Sequence, residues 1–155
     1  MAITKILMTS VLIATAAVGS ACGGSNSNTT SPTAPSQTFS TDILTGAVPV
    51  PVNGVLQSAF NQFVVGQGGG TVSVTMTSAV ETLPGGTFLP TITMGLAVGP
   101  VTNGTCTTTS GFTTAQGASS PQLSGTLAAG TYCVTVSDVS GQLGPVSYAV
   151  AVTHP

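Results

Sequence analysis

VSYAVAVT, residues 146–153, places Val146, Tyr148, Val150 and Val152 on one side of an extended chain and small or polar residues on the other. A period of two in a run rich in β-branched and aromatic side chains marks a half-buried β-strand. The same alternation recurs in TVSVTMT (71–77), where Val72, Val74 and Met76 share a face. It recurs again in TITMGLAV (91–98), through Ile92, Met94, Leu96 and Val98, and in TYCVTVSDV (131–139), through Tyr132, Val134 and Val136. A further strand around Phe60 to Val65 departs from strict alternation and predicts a β-bulge.

Turn chemistry separates these runs. Asn53-Gly54, Gly68-Gly69-Gly70, Pro84-Gly85-Gly86, Asn103-Gly104, Gly130 and Gly144-Pro145 supply residues that tolerate positive φ or fix the backbone. No stretch after the first 21 residues keeps helical spacing over ten positions. The pattern predicts an all-β fold, an antiparallel β-sandwich of jelly-roll or Greek-key type with about eight strands. Residues 42–155 suffice for one such domain and are too few for two. ILTGAV (43–48) and QLSGTL (122–127) echo each other and predict equivalent strands.

Ahead of the domain the chain changes character. MAITKILMTSVLIATAAVGSA (1–21) is a short positive start, an apolar core and a small-residue end, the pattern of a signal peptide. Its apolar run is shorter than the ~20 residues that span a bilayer comfortably. Cys22 follows, and with Gly23-Gly24-Ser25 it looks like the acceptor cysteine of a bacterial lipoprotein. Val18 and Gly19 match the bulky aliphatic position of a lipobox imperfectly, and Gly19-Ser20-Ala21 also suits an ordinary signal peptidase. Residues 23–41 are small, polar and proline-containing, with Phe39 the one large apolar side chain. Such a stretch cannot bury enough apolar area to order itself and predicts a disordered tether behind Cys22. A coil of that length spans roughly 25 Å root-mean-square.

Cysteine arithmetic bears on the anchor. The chain has three cysteines. An unpaired thiol in an oxidising compartment invites mispairing, whereas acylation of Cys22 leaves Cys106 and Cys133 to form one disulfide. The chain-entropy model gives such a bridge ~3.5 kcal/mol. Because Cys133 alternates with Tyr132 and Val134, the bridge is expected on an outer face or an edge. It lacks the Cys-x-x-Cys spacing or neighbouring histidine of a metal or redox site.

Charge excludes whole classes of function. Lys5 is the only lysine or arginine and lies in the leader, so residues 22–155 carry Asp42, Glu81, Asp138 and His154 as their ionisable side chains other than Tyr and Cys. Phosphate recognition needs cationic side chains, which rules against a nucleic-acid partner and against electrostatic attachment to anionic lipid. No metal ligand set, cofactor motif or catalytic residue stands out. Gly66–Gly70 leads into a strand and lacks a lysine, unlike a phosphate loop. His154 is expected to fray into solvent at the end of the last strand. A catalytic site would require Asp42, Glu81 or Asp138 to meet His154 in one cleft. Two loop aromatics, Phe88 and Phe112, are the candidates for a ligand-binding surface, with plugs over the sandwich ends as the structural alternative.

QLSGTLAAGTYCVTVSDVSGQLGPVSYAVAVTHP (122–155) resembles the C-terminal half of bacterial pre-peptidase C-terminal-type domains, and AFNQFVV (59–65) with GTVSVTMTS (70–78) agrees with the N-terminal half. The resemblance covers roughly 42–155. It implies a β-sandwich that serves as a non-catalytic accessory of secreted or surface proteins. Some relatives bind calcium, but the strand that carries their acidic pair reads Thr91-Ile92-Thr93-Met94 here, without a carboxylate, and calcium needs six to eight oxygen ligands. The expected function is a non-enzymatic envelope lipoprotein, an accessory or interaction module held to the membrane by its lipid. The alternative is a weak carbohydrate- or neutral-polymer-binding module. Gly23, in place of the aspartate associated with inner-membrane retention, points to the outer membrane by family analogy; plain secretion is the other route. Neither a protein partner nor a glycan is singled out, and nothing sets the oligomeric state.

Overall fold

The computed structural model describes residues 36–108, 110–139 and 141–155. Among them are ten strands and no helix: β1 (Ser40–Val48), β2 (Ser58–Val65), β3 (Gly70–Thr82), β4 (Phe88–Leu89), β5 (Met94–Thr102), β6 (Thr105–Cys106), β7 (Ser110–Ala115), β8 (Leu123–Leu127), β9 (Gly130–Ser137) and β10 (Val146–His154). Eight have five residues or more, in line with the sequence expectation. Cys22 and the leader lie outside the described residues. β1 opens two residues inside the stretch read as tether, and the Gln37 side chain already donates to the Gly69 carbonyl at 2.7 Å.

Every pairing is antiparallel. One sheet runs β1-β10-β3-β8, with β4 on the far end of β3; the other runs β2-β9-β5-β7, with β6 on the far end of β5. The chain therefore pairs from its extremities inward, β1 with β10, β2 with β9, β3 with β8 and β5 with β7, which is a jelly roll. Two echoing segments, 43–48 and 122–127, fall on β1 and β8, the two outer strands of one sheet.

Alternation builds the core. Val72, Val74 and Met76 of β3, Met94, Leu96 and Val98 of β5, Val134 and Val136 of β9, and Val146, Tyr148, Val150 and Val152 of β10 meet between the sheets. Tyr132 packs against this cluster, and Ile92 borders it. The Tyr148 ring lies over Gly46, its register partner on β1, and its hydroxyl accepts from Asn61 Nδ2 at 2.9 Å.

Two expectations need correction. β2 carries no bulge: it pairs with β9 in unbroken register, with Asn61 occupying an inward position and Phe60 and Val64 facing solvent. The broken pattern comes from a polar residue that bonds inside, not from an extra residue. The bulges lie elsewhere, in the β10–β3 register at Ala149/Val150 and in β5–β7 at Ala97/Val98. In β3 the unmatched residue is Thr77, whose hydroxyl donates to the Ala149 carbonyl at 3.1 Å. One extra residue exchanges the faces of everything after it. Inward positions accordingly pass from Met76 to Ala79 and then to Glu81, which becomes buried.

His154 does not fray. It is 6% exposed, 5.6 Å from the Phe63 ring centre, with Nε2 3.0 Å from Asp42 Oδ2 and Nδ1 3.1 Å from the Pro155 carbonyl oxygen. Pairing of β10 with β1 to its last residue, together with the Gly66 amide donating to the Pro155 oxygen at 2.9 Å, holds the strand end down. The bridge lies where expected. Cys106 and Cys133 are joined on the outer face, and Cys133 is 0% exposed. The chain after β6 folds back over β5 and covers it: the Thr107 amide donates to the Pro100 carbonyl at 3.0 Å. Gly99 permits the crossing, since a Cβ there would run into the Thr107 carbonyl.

Candidate functional site: an apolar crown at one end

The register places the end of β1, the start of β2, the end of β3, the start of β5, the end of β9 and the start of β10 at one end of the sandwich. Three connections meet there: 49–57, 83–93 and 138–145. The last is held by two carboxylates. Asp138 Oδ1 accepts from the Gly141 amide at 2.9 Å and Oδ2 from the Gln142 amide at 3.1 Å. Glu81 Oε1 accepts from the amides of Leu143 and of Gly144, the latter at 2.8 Å. Four consecutive backbone donors are thus satisfied by two acids, each 3% exposed. Charge-assisted bonds of this kind are about twice as strong as neutral ones and offset part of the cost of burying a carboxylate.

The same loop ties its neighbours. Gln142 Nε2 donates to the carbonyls of Val48 and Pro49, at 3.0 and 2.7 Å, while the Asp138 amide donates to Gln57 O at 2.9 Å. On the other side the Thr82 amide donates to Pro145 O at 3.0 Å, and Gly144 packs so close to the Thr82 carbonyl that a Cβ would run into it. In 49–57, Val52 and Val55 bridge across Asn53 and Gly54, both at positive φ (54° and 76°), the geometry of a two-residue hairpin turn.

On this base stand Val50, Val52, Val55, Leu56, Phe88, Leu89 and Leu143, seven of the eleven exposed large apolar residues among those described. Leu143 is 73% exposed and Phe88 65%. Phe88 is therefore no plug; it stands in β4 opposite Thr82. Phe112, the other aromatic singled out from the sequence, lies in β7 opposite Ala97, and its side chain is outside the described set. The remaining members of the crown carry no sequence signal, because isolated Val and Leu in loops look like ordinary core residues.

The ionisable groups do not assemble into a catalytic arrangement. Glu81 and Asp138 lie at the crown end, where backbone amides occupy them, and Asp42 with His154 lies at the other end of β10, roughly 25 Å away at the usual strand rise. Asp42 does meet His154, but both imidazole nitrogens have partners within the fold. Among the described residues no group of three or more His, Cys, Asp or Glu side chains could hold a metal ion. A cleft of about 200 Å³ opens at the sandwich edge beside β8, lined by Val72 and Val74 of β3, Val98 of β5 and residues 123–127, where Gly125 leaves its inward position empty. It has no charged lining; Ser124 and Thr126 are its polar residues. Compared with known proteins, the chain matches no family model, no curated protein and no solved structure.

Proposed function

We propose that this chain is a non-enzymatic lipoprotein of the bacterial envelope, an accessory or interaction module of the pre-peptidase C-terminal type that docks through its apolar crown. Cys22 carries the lipid, and residues 23–35 link it to the sandwich. The observation that carries the docking role is the crown itself. Seven large apolar residues stand exposed at one end of the sandwich, Leu143 on a loop braced by buried acids, and exposed apolar surfaces of this extent mark interaction sites. Engagement of Asp42, Glu81, Asp138 and His154 within the fold supports the non-enzymatic reading.

The intact mass of the detergent-extracted protein, before and after reduction, tests the anchor. Residues 22–155 plus acyl chains, gaining two hydrogens on reduction, is the expected result; a mass without acyl chains sinks the lipoprotein reading. A second reading, a weak module for neutral glycan, rests on the exposed ring of Phe88. It requires measurable binding of a soluble glycan that Phe88→Ala abolishes.

A further inference from the structure

We propose that the occupant of the crown is a second copy of this chain, docked crown to crown about a two-fold axis. The inference rests on the interaction-module reading and names its partner. Three properties of the crown select a like copy. First, no ionisable side chain reaches its surface among the described residues, because Glu81 and Asp138 are turned inward onto backbone amides. Two such surfaces meet without charge repulsion, whereas a charged partner would find no complement.

Second, the area suffices. At whole-residue areas of roughly 150–200 Å² the exposed fractions of the seven residues amount to on the order of 600 Å². Pairing two crowns buries about 1,200 Å², the lower bound of specific protein interfaces. Third, the polypeptide joins the sandwich at the opposite end, since β1 opens at Ser40 beside His154. A crown-to-crown pair therefore leaves the first residues of β1 in each copy on the side away from the contact. Confinement of copies to one membrane raises their effective concentration, which permits a modest interface to form.

The other occupants fit less well. A bilayer would receive a tip with no Lys or Arg and with two acids directly beneath it, which hydrocarbon would leave in a medium of low dielectric constant. A glycan would find a single exposed aromatic ring, Phe88, to stack on.

The test is photo-crosslinking of the full chain in its own envelope. A benzophenone amino acid is placed at Leu143, and at Ile43, an exposed apolar site off the crown, as control. Mixed light and heavy isotope populations identify links between copies. The expected result is a covalent dimer from position 143 joined to crown residues of another copy, at least tenfold above position 43. Phe88→Ser in the same chain should lower that yield several-fold while intact mass still shows the Cys106–Cys133 bridge. A product with a different protein overturns self-docking and leaves the interaction-module reading standing. A product with lipid overturns it in favour of a bilayer. No product above the control overturns self-docking and the module reading together.

Discussion

Two stretches of backbone in this fold lie flat against a sheet over a glycine, and they are held there by opposite chemistry. At one, residues 105–108 cross β5 above Gly99 and are fastened by the Cys106–Cys133 bond. At the other, residues 141–144 press Gly144 against Thr82 and are fastened by Glu81 and Asp138. Both glycines are there for the same reason, since a side chain would occupy the space of a carbonyl. The covalent fastening constrains chiefly the unfolded chain, leaves the loop's own amides to find partners, and responds to redox potential. The carboxylate fastening satisfies the amides themselves and is indifferent to thiols. What differs is therefore not how tightly each loop sits but which change in surroundings releases it. Only the second kind supports the crown.

Breaking the carboxylate fastening has the largest expected effect. Glu81→Ala leaves two amides without acceptors and a void at a 3% exposed site, and should cost about 4 kcal/mol. It should appear as a lower urea midpoint and rapid hydrogen exchange at Leu143 and Gly144. Normal protection at those amides would mean that Glu81 does not hold them. Opening the disulfide, by reduction or by Cys106→Ser with Cys133→Ser, should cost about 3 kcal/mol and leave exchange at 141–144 unchanged. The two losses should add within about 0.5 kcal/mol, because the sites share no partner. A marked excess in the double variant would show that the loops are one unit and dissolve the contrast.

A gentler change sharpens it. Glu81→Gln keeps the shape and one acceptor oxygen but removes the charge, so it should cost about 1.5 kcal/mol, less than half the alanine loss. An equal loss would show that charge, not the presence of an acceptor, holds the loop.

The smallest effect is alkaline and belongs to neither fastening. Burial raises Tyr148 above the ordinary tyrosine value, against a smaller opposing effect of its bond to Asn61. A raised folded value means that the native state favours the protonated phenol. Its contribution is complete below about pH 10 and is lost as pH climbs further. Urea midpoints between pH 9 and 11 should fall less steeply in Tyr148→Phe than in the parent.

The strands are legible in the sequence because each inward Val, Met or Tyr in 71–77, 91–98, 131–139 and 146–153 declares its face by period alone. The Cys106–Cys133 bridge is legible because, on the expectation of export, that pair has few alternatives. Glu81 is not. Its burial depends on the slip at Thr77, and its donors lie more than sixty positions along the chain, on a loop whose amides resemble any others. Asn61 misleads for the related reason that a polar residue in an inward slot reads as a break in the pattern when its partner, Tyr148, is far away in sequence. His154 misleads because nearness to a chain end suggests looseness, whereas β1 pairs with β10 to its last residue.

The nested pairing has a consequence for the order of events in the life of the chain. β10, which follows the other nine described strands in the chain, lies between β1 and β3, in the middle of its sheet and not at an edge. β1 has no other partner, and β3 has only β8 and the short β4, until residues 146–154 arrive, so the preceding strands cannot complete this sheet. Contacts this distant along the sequence make folding slow. For a chain that must be threaded unfolded across a membrane, as proposed here, the delay is useful. On that proposal the sheet would stay open until β10 has crossed.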